Sequence, residues 1–380
     1  MKFLYLFFFV STMLLQSEGA LSSNSSELRL GLEQDILTAR LEGDYVRALA
    51  QTERLKMLPD SYHLGIALDL DTRLTRLSWD SQSTGEDDYL FGLSEALIAL
   101  CPKNRHQSPP ETLFQCGRGH FGHSYLSALR GNLFDAGSHG SQAIKAFEAA
   151  LAKNPDLTAV KLPLGMAYFY ADHLPSFAKL MAPFLWFIPT GNSDKSLPYI
   201  EAVMVEGGPY ADAARFIYSD LIMQKAPERM QEASRELEGL VSRYPSNPRL
   251  HLAHISSYAY QNDWRGAYSA VKKMDGSIQQ ASPFTAVGKI WEIYILKYLN
   301  QPLPRDLQSY ILEQTTDGLP RWTEDWLMLA QGLANDFSGD RNAATALYQQ
   351  VLDSGNRFGS GWLLELAAEG LDTNLYPGKD

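Results

Sequence analysis

An all-α fold of paired helices is what this sequence predicts, on three observations. Apolar residues recur three and four positions apart along most of the chain, the spacing of one helix face, and no stretch sustains the apolar-polar alternation of a half-buried strand. One pattern also returns: a small residue, an aromatic or aliphatic four later, a small or apolar residue three beyond, then proline after five more. Ala and Gly sit where paired helices touch most closely, the aromatic fills the gap to the next pair, and the proline stops the second helix.

With 380 residues and 45% hydrophobic content the chain can bury one large core or two smaller ones. The formal charge of −11 would repel a phosphate backbone, and no basic patch offsets it, so nucleic acid is not an expected partner.

Taken in order, the chain opens on "MKFLYLFFFVSTMLLQSEGA": one Lys2, an apolar run from Phe3 to Val10, then small residues. This reads as a signal peptide over 1–19, with Ser17 and Gly19 at the cleavage positions, followed by a disordered polar lead-in at 20–27. The mature product is then exported, periplasmic or secreted, and faces an oxidising space. Helical pairs are expected over 28–380. A weak copy of the pattern lies at about 28–60, with a Gly-Asp-Tyr turn, Ala48 and Pro59. Two longer links follow, the acidic "SWDSQSTGEDD" at 78–88 and the Pro-rich "PKNRHQSPPET" at 102–112. The run Glu86, Asp87, Asp88 reads as a solvated loop.

"CGRGHFGH", Cys116 to His123, comes next, and its glycines read as the entrance to a helix that continues "HSYLSALRGN", with Gly131 as a helix-contact glycine. The clearest repeat, about 137–172, has Ala143, Phe147, Ala150 and Pro155, then Leu164, Gly165 and Tyr168. "LMAPFLWFIP", 180–189, is about half the length a membrane span requires. A helix starting near Ser196 and another from Pro209 meet at Gly207-Gly208. The second clear repeat, about 227–274, has Ala233, Leu237, Leu240 and Pro245, then Ile255 and Tyr258, then Ala267 and Val271. A weaker copy at about 321–354 carries Leu329, Gly332, the Gly339-Asp340 turn, Ala344, Tyr348 and Val351.

These spacings resemble the tetratricopeptide repeat, whose second helix and closing proline match Ala143, Phe147, Ala150 and Pro155, and whose "LGxxY" matches Leu164, Gly165 and Tyr168. The stretch 184–221 with its later "YPSNP" is similar to exported bacterial repeat proteins. The resemblance implies a right-handed superhelix of antiparallel helix pairs, an α-solenoid with degenerate repeats. It implies a non-catalytic scaffold that holds a protein or peptide in a concave groove lined by first helices; a cell-envelope assembly factor with no cofactor is the expectation.

On first helices Tyr168 and Tyr258 take core positions, whereas Tyr170 and Tyr260, two residues on, fall on another face and become candidates for partner contact. Asn262 could hydrogen-bond an extended peptide, and His251 and His254, three apart, read as solvated or groove-facing.

Cys101 and Cys116 have fourteen residues between them, and in an oxidising space a disulfide is the natural reading. Such a bridge would stabilise by about 3 kcal/mol. Against it stands a metal site from Cys101, His106, Cys116, His120 and His123, whose spacing matches no usual zinc arrangement. No metal is expected on that count, with His120 and His123 the residual pair. A metal- or thiol-dependent enzyme centred on Cys116, His120 and His123 is the alternative function. Another is a membrane-surface accessory protein docking through Leu185, Trp186, Phe187 and Ile188.

Overall fold

The structure, a computed structural model, describes residues 26–103, 107–172, 192–278, 282–354 and 361–376. The expected signal peptide, His106 and the segment Leu185 to Ile188 lie outside the described residues. Among the described residues every regular element is helical, and none is long and apolar enough to cross a membrane.

Two compact units divide the chain, one of 1–78 and 83–214, the other of 79–82 and 215–380. The first contains α1 (26–42), α2 (Tyr45–Lys56), α3 (Tyr62–Leu77), α4 (Asp87–Ile98), α5 (Pro110–Leu129), α6 (Leu133–Lys153), α7 (Lys161–Asp172), α8 (Ser193–Glu206) and the start of α9 (Ala211–Lys225). In the second, the rest of α9 is followed by α10 (Met230–Arg243), α11 (Pro248–Ala259), α12 (Trp264–Ser277), α13 (Phe284–Tyr298), α14 (Arg305–Glu313), α15 (Thr323–Ser338), α16 (Arg341–Asp353) and α17 (Gly361–Asp372). Helix already runs at Ser26 and Glu27, inside the lead-in that composition marks as disordered.

The same turn joins four of these pairs. Gly43, Gly131, Asn262 and Gly339 each take a positive φ, of 80°, 77°, 56° and 83°. In each case the next residue's N–H reaches back to the carbonyl five before it: Asp44 to Ala39, Asn132 to Ser127, Asp263 to Tyr258 and Asp340 to Asn335. That is a Schellman ending of the first helix. The same Asp or Asn then caps the second helix by accepting from the N–H three residues on. A two-residue signal thus ends one helix and starts its partner.

The repeat positions pack as their spacing predicts. Ala143, Phe147, Ala150, Ala233 and Ala267 are fully buried, Tyr168 is buried and Tyr258 half-buried. Pro155 and Pro245 lie just past the ends of α6 and α10. Gly165 admits α8, since a Cβ there would lie 2.9 Å from the Ser196 carbonyl oxygen and from Ile200. Gly332 lies under the Tyr348 ring, where a Cβ would come within 2.4 Å.

Several sequence expectations need correction. Gly131 makes no helix contact: its φ is positive and a Cβ would meet nothing within 4 Å, so it is the turn residue. Helix α5 begins at Pro110, shortening the Pro-rich link, and runs unbroken through "CGRGHFGH". Glu86 precedes α4, and Asp87 and Asp88 form its first turn, where the helix dipole favours carboxylates. Arg73 and Arg76 pair with Glu86, and Arg130 with Asp87, so this charge run is held rather than merely solvated. Pro198 sits inside α8 rather than in its first turn, because the helix starts at Ser193.

Candidate functional site

The glycines of α5 decide what surrounds it. A Cβ at Gly117 would fall 2.4 Å from the Phe147 ring of α6. At Gly119 it would fall 2.7 Å from Leu97 Cβ and 2.8 Å from the Ser94 carbonyl oxygen of α4. At Gly122 it would fall 2.7 Å from Leu70 of α3. Real Cβ atoms are not accommodated that closely, so the missing side chains let three helices press against one. The helix-propensity cost of glycine, roughly 1 kcal/mol each, is offset by that packing.

This approach brings the Cys and His residues together. Cys101, just beyond α4, is bridged to Cys116 on α5, with Cα atoms 5.0 Å apart, as the sequence predicts. One ring nitrogen of His120 and both sulfurs lie within 4.8 Å of one another. His120 Nδ1 is 3.0 Å from His139 Nδ1 on α6. The His139 ring stacks on His123, centroids 3.8 Å apart and planes 8° from parallel, and Phe91 meets His123 edge-on. Burial lowers the pKa of His123 and of His139, the latter helped by His123, so both favour the neutral form. His139 escapes sequence reasoning because it lies on the other helix of the hairpin. The only signal is its spacing about the turn at Gly131.

In the second unit Tyr260 is 63% exposed, while Tyr258, expected at a core position, is half-buried. Burial and the nearby Asp220 carboxylate raise the Tyr260 pKa. Asp220 accepts from Gln224 Nε2 at 2.8 Å, and burial raises its pKa against the pull of Arg249. The Arg249 guanidinium lies 5.3 Å from the Phe216 ring centre and 5.9 Å from that of Trp79. The Asp220 charge is thus felt at the exposed Tyr260 phenol and at the Arg249 guanidinium, which lies against two aromatic rings. Sequence reasoning finds only Tyr260 among them, because the others come from 79, 216, 220 and 249.

In the first unit Tyr170 is 42% exposed and packs edge-on against buried Phe169, ring centres 5.7 Å apart. The same unit holds a polar cluster with no sequence signature. Arg118 Nη2 donates to Asp71 at 2.6 Å, Arg40 Nη2 to Thr75 Oγ1 at 2.7 Å and the Tyr210 hydroxyl to Glu33 at 2.6 Å. Burial lowers the Arg40 pKa and raises that of Tyr210.

The remaining candidates are structural. His251 and His254 are buried rather than groove-facing, 1% and 4% exposed. His251 Nε2 lies 2.8 Å from the Pro245 carbonyl oxygen, while neither ring nitrogen of His254 has a hydrogen-bond partner among the described residues. Asn262 is exposed, but its positive φ makes it the counterpart of Gly43, Gly131 and Gly339 in the recurring turn.

The spacing, the shared turn and the aromatic-on-glycine packing define an all-α protein of consecutively paired helices, similar in these features to tetratricopeptide repeats. No protein-family model matches the chain, and no curated protein does. Among solved structures it is similar to a tetratricopeptide repeat protein from Parabacteroides merdae, at 11% identity and TM-score 0.36, covering 90% of this chain and 99% of that one. It is also similar to the human IFIT1 dimer with PPP-AAAA, at 14% identity and TM-score 0.28, covering 92% and 89%. A third is the P58(IPK) TPR domain, at 12% identity and TM-score 0.22, covering 92% and 96%.

Proposed function

We propose that this protein is an exported, non-catalytic scaffold that holds a protein or peptide partner and serves cell-envelope assembly. The observation that carries this reading is the group around Tyr260. A 63% exposed tyrosine within electrostatic reach of Asp220, with Arg249 against Phe216 and Trp79, combines the residue types that dominate binding energy at interfaces. A peptide segment could stack on the Tyr260 ring and exchange backbone hydrogen bonds with its hydroxyl. Tyr170 offers a comparable exposed ring in the first unit. Export is supported by the apolar leader and by the Cys101–Cys116 bridge, a bond that oxidising compartments sustain. With the two sulfurs bonded to each other, Cys116 presents no thiolate for nucleophilic chemistry.

The test is a crosslinking pull-down from the native compartment, with the wild-type chain, Tyr260→Ser and Tyr170→Ser compared side by side. Enrichment of a defined protein that falls at least tenfold with Tyr260→Ser, at unchanged thermal stability, supports the reading. Equal recovery by all three chains would sink it.

A further inference from the structure

We propose that reducing the Cys101–Cys116 bridge converts this cluster into a site for one zinc ion, held by Cys101 Sγ, Cys116 Sγ and one ring nitrogen of His120. Disulfide and metal are then alternative states of the same residues.

Three features of the fold carry this. Cys116 and His120 are four residues apart on α5 and so project from one face of it. The third ligand, Cys101, follows α4, which the bare Cα of Gly119 draws against α5. The three donor atoms already lie within 4.8 Å of one another. A tetrahedral zinc with bonds of about 2.3 Å to sulfur and about 2.0 Å to nitrogen separates its ligands by roughly 3.3 to 3.8 Å. Opening the bridge must let the two sulfurs part by roughly 1.7 Å, about 1 Å each, and the His120 nitrogen close in by about 1 Å, shifts that side-chain rotation can supply without refolding. Two thiolates and an imidazole are a donor set zinc favours, and three protein ligands leave a fourth position for water.

His139 is the positioning residue. Its Nδ1 lies 3.0 Å from His120 Nδ1, and its ring is stacked on His123, so it can fix the orientation and tautomer of His120 from behind. The chemistry balances: a dithiol reductant gives up two electrons and two protons to the bridge and becomes a disulfide. Cys101 and Cys116 become thiols, and zinc binding then displaces their two protons.

The experiment uses the full chain. It is reduced with excess dithiol and desalted without oxygen, and its helix content is checked by circular dichroism. Zinc is then titrated in competition with a chromogenic chelator. One zinc per reduced chain is expected, with an upward shift in Tm, and none at comparable affinity in the oxidised chain. Cobalt substituted for zinc should show thiolate-to-metal charge-transfer absorption and the intense visible bands of a tetrahedral site.

His120→Ala should weaken zinc binding by at least a hundredfold. His139→Ala should weaken it by tenfold to a hundredfold while retaining the thiolate absorption of the cobalt form, and His139→Gln should recover part of the loss. Zinc binding by the reduced wild type no tighter than by the Cys101→Ser, Cys116→Ser double variant would overturn the proposal. So would indifference to His120→Ala. If reduction itself loosens the fold, zinc must restore helix content and Tm, and failure to do so counts equally against the site.

Discussion

Lowering the pH should destabilise the second unit through His254, and the size follows from its surroundings. The imidazole is 4% exposed, both ring nitrogens lack hydrogen-bond partners among the described residues, and burial, then Lys273, then His251 push its pKa from 6.5 to about 4. In the unfolded chain the ring binds a proton near pH 6.5, whereas in the folded chain it stays neutral until about pH 4. Between those values the unfolded state holds more protons, so stability is complete above pH 6.5 and is lost as pH falls towards 4. Linkage gives a loss of about 2 kcal/mol at pH 5 and about 3 kcal/mol at pH 4 from this group alone. His254→Leu removes the titration at similar volume and should flatten the profile by that amount. Urea unfolding followed by circular dichroism at pH 7, 6 and 5, wild type against His254→Leu, measures it. Parallel profiles for the two chains would refute the burial argument.

Replacing both Cys101 and Cys116 by Ala should lower stability under oxidising conditions by about 3 kcal/mol, and the difference should vanish when both chains are measured in dithiol. Tyr348→Phe should cost about 1 to 3 kcal/mol, because the hydroxyl donates at 2.8 Å to Asp336, a carboxylate 1% exposed that Arg341 and the Leu375 N–H also satisfy. Chemical denaturation of that variant beside wild type is the check, and an unchanged midpoint would show that the carboxylate reaches water. Arg118→Met should destabilise the first unit by a similar amount, since it strips Asp71 of its 2.6 Å donor inside a crowded cluster. Limited proteolysis of the two chains should show faster cleavage within 26–78.

Helix type and repeat phase were legible because they depend on local spacing. Ala143, Phe147 and Ala150 fall on one face of a helix whatever lies beyond it, and their burial follows. The turn was half legible: Gly339-Asp340 announces itself, but Asn262 in the same role looks like a binding residue until its φ is known. The start of α5 was not legible. Three glycines in six residues argue against a helix by propensity, and only contacts with α3, α4 and α6, contributed from elsewhere in the chain, reverse that argument. His251 and His254 misled for the opposite reason. Polar residues three apart suggest a wet face, yet both rings are buried, and the His254 imidazole finds no partner among the described residues.

The spacing between glycine and aromatic explains why the Cys and His cluster sits where it does. In the C-terminal pair Gly332 precedes its aromatic, Tyr348, by 16 positions, whereas Gly117 precedes Phe147 by 30. Fourteen additional residues divided between α5 and α6 amount to about two turns on each helix, so this hairpin outreaches the ordinary repeat. His120, His123 and His139 all stand on the additional turns, beyond the packed Gly117 and Phe147, while the bridge ties the base of the hairpin to the end of α4.

Two glycine substitutions separate these roles. The three atoms nearest a Cβ at Gly117 all belong to the Phe147 ring, so the cost of Gly117→Ala, about 1 to 3 kcal/mol, should be relieved by adding Phe147→Leu. Gly119→Ala meets the Ser94 carbonyl oxygen at 2.8 Å and the Ile98 N at 3.0 Å, backbone atoms that cannot turn aside. It must move the end of α4 and with it Cys101. Counting free thiols after air oxidation should give none in wild type or Gly117→Ala and a measurable fraction in Gly119→Ala. Full bridging in Gly119→Ala, at wild-type stability, would mean that the close approach of α4 to α5 is not what brings the two sulfurs together.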